Sequence, residues 1–348
     1  MWFQNFWAVF AAMSFTKTAV EAINDRLRND FFYIYKNAAV ETRDFQQKPV
    51  TENEVSFYLY TGENPKEYSV IGQDNLDQFW NTTNQIVLLI HGWTNSRQSD
   101  WMEDLKNAFL VRDKDSFVIM VDWQEPANQL YYVSSINTYD VSKIITKLLV
   151  NLYRNYQVDR ERFLLVGHSL GGQICGFVGK LFKKETSETL PRLIALDPAG
   201  PLFSTRPEDK RLNKNDARVV EVIHTDGGTF GFRNSCGTID FFANGGSSQP
   251  GCKKIDLADL AGSLSEPVTC DHRRAWAYFI EAVLNPSDLV AQKCDTWAKF
   301  KLNSCSEETV PLGDLTTTLQ GNFFLQTNKE RPYAKKVSGG FSLSRLLL

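Results

Sequence analysis

Phe163-Leu164-Leu165-Val166-Gly167-His168-Ser169-Leu170-Gly171 is the stretch on which the fold turns. A short apolar run enters it, and beyond it Ile174, Phe177, Val178 and Leu181 recur at the spacing of one helix face. Gly-x-Ser-x-Gly between a strand and a helix describes a sharp turn that lifts a serine hydroxyl above the end of a sheet. Such a turn strains the serine backbone, and neighbours without a Cβ leave room for it. Ser169 is therefore the candidate nucleophile, set against the blander reading of a glycine-rich turn without chemistry.

Outward from the turn, the same alternation repeats. Ile86-Val87-Leu88-Leu89-Ile90 and Phe117-Val118-Ile119-Met120-Val121 are unbroken apolar runs, as expected of strands buried on both faces. Between them the pattern predicts a helix from about 99 to 111. Val141, Ile144, Ile145, Leu148, Leu149 and Leu152 form a longer helical stripe. Leu193 to Leu196 and Val219 to Ile223 read as further strands, and residues 54–60 as one with imperfect alternation. Strand and helix in turn predict an α/β chain with a mostly parallel central sheet and helices on both faces. Chemistry then gathers beyond the carboxyl ends of the strands, where His91, Asp122, Ser169, Asp197 and His224 stand. From Cys305 onward the chain is polar, with one strand-like piece at Phe323-Phe324-Leu325. That tail reads as an edge strand or an unordered end, too short for a second domain.

Composition narrows the partners. The 348 residues carry 38 basic and 41 acidic side chains, a formal net charge of −3, and no basic stripe, which argues against nucleic acid. The 24 Phe, 12 Tyr and 8 Trp suit an apolar substrate as well as a merely aromatic core. Met1 to Phe15 is apolar for about the length of a signal-peptide core, although the first lysine is Lys17. The organisation expected is a signal peptide at 1–22, one hydrolytic domain over 23–305, and a short C-terminal extension over 306–348. A buried or membrane-anchoring N-terminal helix is the alternative to the signal. In a secreted chain six cysteines imply disulfides. Cys252 with Cys270 and Cys294 with Cys305 are placed to staple loops, while Cys175 is a buried thiol or a partner of Cys236. Asn81-Thr82-Thr83 is a glycosylation sequon.

A serine hydroxyl needs a base, and the base needs an orienting carboxylate. Of the four histidines, His168 adjoins the serine and His91 precedes it, whereas α/β-hydrolases run in the order nucleophile, acid, histidine. His272 and His224 remain open as the base. Asp197 leads as the acid, with Asp226 and Asp240 behind it. The oxyanion hole takes backbone N–H groups from Leu170, after the nucleophile, and from Trp93 in the Ile90-His91-Gly92-Trp93 loop. Leu257, Leu260, Ala261 and Leu264 give the Cys252–Cys270 segment an amphipathic face. It is a hinged flap over a cleft or a fixed surface helix.

These motifs together resemble the pancreatic lipase family. The match runs in order through Gly167-His168-Ser169-Leu170-Gly171-Gly172, Leu196-Asp197-Pro198-Ala199-Gly200-Pro201, Ile223-His224-Thr225-Asp226-Gly227, Asp240-Phe241-Phe242-Ala243-Asn244-Gly245-Gly246, Gln249-Pro250-Gly251-Cys252 and Cys270-Asp271-His272-Arg273-Arg274-Ala275. The resemblance implies an α/β-hydrolase fold, the triad Ser169, Asp197 and His272, the oxyanion donors Trp93 and Leu170, and a disulfide-clipped lid between Cys252 and Cys270. His224 then becomes structural. It further implies an extracellular enzyme acting at a lipid–water interface on triacylglycerol or phospholipid sn-1 esters. A non-catalytic, yolk-type lipid-binding protein is the alternative. The family's C-terminal β-sandwich, which helps dock a colipase, is not expected here. A family calcium site maps to Glu208, Arg211, Asn213 and Asp216, but position 213 is an aspartate in the pattern, so no metal or other cofactor is expected.

Overall fold

The computed structural model describes residues 48–72, 75–252 and 269–335. The signal-peptide expectation (1–22) and the amphipathic segment at 253–268 lie outside the described residues. Strands run in chain order as β1 (Ser56–Tyr60), β2 (Ser69–Val70), β3 (Ile86–Ile90), β4 (Phe117–Asp122), β5 (Phe163–His168), β6 (Arg192–Leu196), β7 (Val219–His224), β8 (Ile239–Ala243), β9 (Val290–Lys293), β10 (Thr309–Pro311) and β11 (Gly321–Leu325). They form an 11-stranded sheet in the order β10-β9-β11-β8-β7-β6-β5-β3-β4-β1-β2. Every pairing from β4 across to β11 is parallel, and the outer pairings are antiparallel. This is the α/β-hydrolase fold.

The helices are α1 (Asp100–Arg112), α2 (Gln124–Ala127), α3 (Tyr131–Asn155), α4 (Leu170–Thr186), α5 (Cys270–Leu284) and α6 (Trp297–Lys301). Val87, Leu89, Val118, Met120, Leu164, Val166 and Ile194 pack with Trp101, Leu105 and Phe109 of α1 and with Ala275 and Phe279 of α5. Alternate strand residues point the other way. On that face α4 lies so close that a Cβ on Gly172 would stand 3.3 Å from the Ala195 side chain. Helix α3 packs on α4 through Tyr139 on Phe177 and Tyr153 on Phe182. Strand β3 and residues 118–121 of β4 are apolar throughout because both of their faces are covered.

Two expectations change. Helix α3 starts ten residues ahead of its apolar stripe and is 25 residues long. Its early part buries Ser134, Ser135 and Thr138, whose hydroxyls donate to backbone carbonyls, so no apolar pattern betrays it. The boundary at 305 also fails. The tail contributes β10 at one edge and β11 inside the sheet, parallel to β8 with Phe323 opposite Phe241. Phe323 and Leu325 complete the core, so the sheet closes only at Leu325. Among the described residues no helix is long and apolar enough to cross a membrane.

Candidate active site

Register sets the site. Ile90 lies opposite Gly167, Gly167 opposite Ala195, and Leu196 opposite Ile223, so four adjacent strands end at one level. Ser169 follows at φ 56° and ψ −119°, a region that costs a non-glycine residue on the order of 1–3 kcal/mol. Three backbone bonds hold it there. Its N–H donates to the Leu196 carbonyl, and its own carbonyl accepts from Gly172 and Ala199. A Cβ on Gly167 would come within 2.2 Å of the Gly171 carbonyl oxygen, and one on Gly171 within 2.2 Å of the Ile90 oxygen. Both glycines are thus steric requirements of the turn.

Asp197 follows β6, fully buried, with its own backbone at φ 43°. Its Oδ1 accepts the N–H groups of Thr225 and Asp226 at 2.9 and 3.1 Å. Its Oδ2 accepts from His272 Nδ1 at 2.5 Å. That bond places the imidazole proton on Nδ1, and Nε2, with no partner among the described residues, keeps its lone pair. His272 stands in the first turn of α5, two residues past Cys270. Ser169 Oγ likewise has no partner among the described residues, which is common before a substrate closes the contact. Of the two histidines left open by pattern, the structure brings His272 to Asp197.

The Gly92–Trp93 loop abuts the serine. A Cβ on Gly92 would lie 2.8 Å from Ser169 Cβ and 3.4 Å from its Oγ. His91 fixes this loop: its Nδ1–H donates to the Gly92 carbonyl, its Nε2 accepts from the Trp123 N–H, and its ring stacks on Trp123. The backbone N–H groups of Trp93 and Leu170 have no acceptor among the described residues. Two free donors beside one hydroxyl can stabilise a developing oxyanion.

His224 is differently placed. Its Nε2 donates to Asp240 Oδ1 at 2.8 Å and its Nδ1 donates to the Phe232 carbonyl at 2.9 Å. With both nitrogens donating, the ring is an imidazolium. Burial alone would lower its pKa, but the Asp240 carboxylate raises it above the ordinary histidine value. Both stapling disulfides form, Cys252–Cys270 and Cys294–Cys305. Cys175 and Cys236 stay separate as buried thiols. Asn81 is exposed in the left-handed region at φ 47°.

The residues of the implied calcium site do not fit the ion. Lys180 Nζ donates to Asp216 Oδ1 at 2.5 Å and to the Arg211 carbonyl at 2.7 Å. The Asn213 amide donates to the Glu208 carbonyl and to Asp216 Oδ1. The oxygens that would coordinate a hard cation are already taken by N–H donors. Asp197, Asp226 and His272 also present atoms within 4.8 Å of one another. There the proton shared between His272 and Asp197 leaves Nδ1 no lone pair for a metal.

Three residues take parts in the site that the reading of the sequence did not give them. His168, set aside for its adjacency to the serine, donates from Nε2 to the His272 carbonyl at 3.1 Å, with its ring 4.5 Å from that of His272. Burial, then the charge of His272, drive its pKa well below the usual value, so it is a neutral donor that anchors the start of α5. Asp226 is buried next to Asp197; burial, then the charges of Asp197 and Asp271, push its carboxyl up to about 9. Gln249 donates its amide to the Thr225 and Ala243 carbonyls and its backbone N–H to Asp271, tying the start of the disulfide loop to the triad's strands. All three stand in motifs that carry the family resemblance, His168 in Gly-His-Ser-Leu-Gly, Asp226 in Ile-His-Thr-Asp-Gly and Gln249 in Gln-Pro-Gly-Cys, but the motifs do not spell out these bonds.

Comparison with known proteins places these features. A family model described as Lipase matches residues 31–333. Lipase member H-A of Xenopus laevis is 36% identical over 264 residues, which is 74% of this chain and 55% of that protein. Pancreatic triacylglycerol lipase of Cavia porcellus is 30% identical over 307 residues, 81% of this chain and 65% of that protein. The chain thus spans little more than half the length of the curated relatives it matches. Among solved structures, esterase PE8 overlaps 42% of this chain and 70% of its own, with 16% identity and a TM-score of 0.32. That overlap is too slight to add to the strand order.

Proposed function

The chain belongs to the lipase family, and on that premise we propose that it is a secreted serine hydrolase of lipid carboxylic esters, with residues 1–22 as its signal peptide. The observation that carries this reading is the 2.5 Å bond between His272 Nδ1 and Asp197 Oδ2, which leaves Nε2 as a free base beside a strained serine. In the first half-reaction Ser169 Oγ attacks the ester carbonyl carbon while His272 Nε2 takes the hydroxyl proton. Asp197 holds the imidazolium that results. The carbonyl oxygen, now an anion, receives the N–H groups of Trp93 and Leu170. Collapse of the tetrahedral intermediate breaks the ester C–O bond, and His272 passes its proton to the departing alkoxide. Water then repeats the sequence on the acyl-serine, releasing a fatty acid and restoring Ser169.

The surroundings support an apolar acyl group and a lipid surface. Trp93 meets Tyr131 edge-on at 5.3 Å, and Phe230 lies 5.8 Å from the His272 ring. Two disulfides and an exposed sequon at Asn81 support an oxidising, extracellular compartment. The segment between Cys252 and Cys270 acts as the lid in this reading. Replacing Ser169→Ala is expected to cut hydrolysis of p-nitrophenyl butyrate by on the order of 10⁴-fold or more, with the thermal midpoint unchanged. Unaltered hydrolysis would remove Ser169 from the mechanism. A wild type inert on every ester would favour a lipid-binding protein.

A further inference from the structure

Trp101, buried on α1, turns its indole N–H toward the oxyanion loop and donates from Nε1 to Asn95 Oδ1 at 2.8 Å. Asn95 passes that tie on. Its Nδ2 donates to the Trp93 carbonyl at 3.1 Å, and its backbone N–H donates to the Gly92 carbonyl at 3.4 Å. The Gly92 carbonyl and the Trp93 N–H belong to one planar peptide, so whatever holds that carbonyl aims that N–H. Asn95 therefore grips the peptide units on both sides of Trp93. His91 bonds the first of them and the Thr94 hydroxyl the second.

The loop needs such a grip. Thr94 stands at φ 56°, a region in which a β-branched residue is an outlier and which persists only where its surroundings over-determine it. The frame behind Asn95 also reaches the base. The Trp101 ring stacks on Trp276 of α5 at 6.2 Å and meets the His168 ring edge-on at 5.5 Å. His168 in turn donates to the His272 carbonyl. One indole thus braces the oxyanion loop on one side of Ser169 and the turn that carries His272 on the other.

We propose that Asn95, held by Trp101, is a positioning residue of the oxyanion hole, which sets where the Trp93 N–H stands relative to Ser169. The inference rests on the hydrolase reading above. Asn95 acts through the Trp93 peptide rather than on the substrate. The full oxyanion forms only on the way through the transition state, so a misaimed N–H lowers kcat and leaves KM in place. The competing role is purely structural: an asparagine whose bonds shape the turn ahead of α1.

The experiment measures kcat and KM for p-nitrophenyl butyrate, per folded molecule, in the wild type, Asn95→Ala, Asn95→Leu, Trp101→Phe and the double variant Asn95→Ala with Trp101→Phe. Each single change is expected to cut kcat on the order of tenfold, with KM held within about twofold. Because Trp101 acts through Asn95, the double variant is expected to lose less than about twofold more than Asn95→Ala. Inhibition by phenylboronic acid, whose tetrahedral adduct on Ser169 puts an oxygen in the hole, is expected to weaken in step with kcat. An unchanged kcat with only a lower urea midpoint would mean a structural role and overturn the proposal. So would losses that multiply in the double variant, or a boronate affinity that does not follow kcat. Asn95→Leu, close in size but without either polar atom, carries the test if Trp101→Phe does not fold. A wild type inert on the ester would sink the hydrolase reading and this proposal together, whereas an active wild type with unaltered variants sinks this proposal alone.

Discussion

Two buried histidine–aspartate pairs stand at neighbouring strand ends, His272 with Asp197 and His224 with Asp240. They are built alike. Each aspartate also accepts two backbone N–H groups, from Thr225 and Asp226 in one case and from Cys236 and Gly237 in the other. Each histidine lies against an aromatic ring, Phe230 or Phe242. The difference is one nitrogen. His224 gives its second N–H to the Phe232 carbonyl and is locked as an imidazolium, whereas His272 keeps a lone pair on Nε2. A buried His–Asp pair is a structural ion pair when both ring nitrogens are filled, and a proton relay when one is left open beside a hydroxyl.

The sharpest way to break this contrast is to remove each ring in turn. His272→Ala is expected to cut kcat by on the order of 10⁴-fold or more while the thermal midpoint holds. His224→Ala leaves Asp240 charged and buried, and is expected to cost about 3–5 kcal/mol of stability in urea unfolding, with kcat per folded molecule retained. If His224→Ala lost activity without losing stability, the assignment of roles would be reversed. The His224 pair carries a pH signature as well. Its folded pKa is raised above the ordinary value of 6.5, so its contribution is complete at lower pH and is lost as pH rises through the raised value.

Pattern alone could not make this choice, which only the family resemblance made, and the reason is physical. Both histidines are polar residues at the edge of apolar elements, and both have an aspartate available. Which nitrogen is filled depends on Phe232, a carbonyl eight residues from His224 in a loop with no pattern to read. Strands β3 and β5 were legible because burial on both faces leaves unbroken apolar runs, and the elbow because its glycines are steric necessities. Asp197 was legible as the residue ending the next strand. The first turns of α3 were hidden by buried hydroxyls bonded to backbone carbonyls of that helix and of the residues just before it. Strand β11 was hidden by its length, since Asn322-Phe323-Phe324-Leu325 is too short to distinguish an edge from an interior position.

Asp226 extends the comparison to a buried carboxyl with no cation partner among the described residues. In the unfolded chain it ionises near 3.8, and in the fold at about 9. Between those values the unfolded state is charged and the folded state holds a proton, so stability falls as pH rises from about 4 to about 9 and levels above it. At pH 7 the cost is up to about 4 kcal/mol. Asp226→Asn keeps an oxygen for the Phe230 N–H and removes the ionisation. It is expected to raise the urea midpoint at pH 7 to 8 and to flatten the pH dependence. A variant with the same slope as the wild type would place the titration elsewhere.

The smallest effect expected is at Asp216, whose partner is neither histidine nor metal. Lys180 donates to Asp216 Oδ1 and to the Arg211 carbonyl, the Asn213 side-chain amide donates to the same Oδ1 and to the Glu208 carbonyl, and the Asn213 backbone N–H fills Oδ2. Burial still raises the Asp216 pKa to about 6 against the pull of that ammonium, so the carboxylate at neutral pH depends on Lys180. With an internal cation in place, a chelator such as EDTA is expected to leave the thermal midpoint unchanged. The double substitution Lys180→Gln and Asn213→Asp removes the ammonium, replaces the amide donors with a second carboxylate, and so offers oxygens to a hard cation. Millimolar calcium is expected to stabilise that variant by about 1–3 kcal/mol and the wild type not at all. A wild type that melts earlier in EDTA would show that Lys180 yields its place to an ion, and that this aspartate, unlike Asp240, has a partner that can be exchanged.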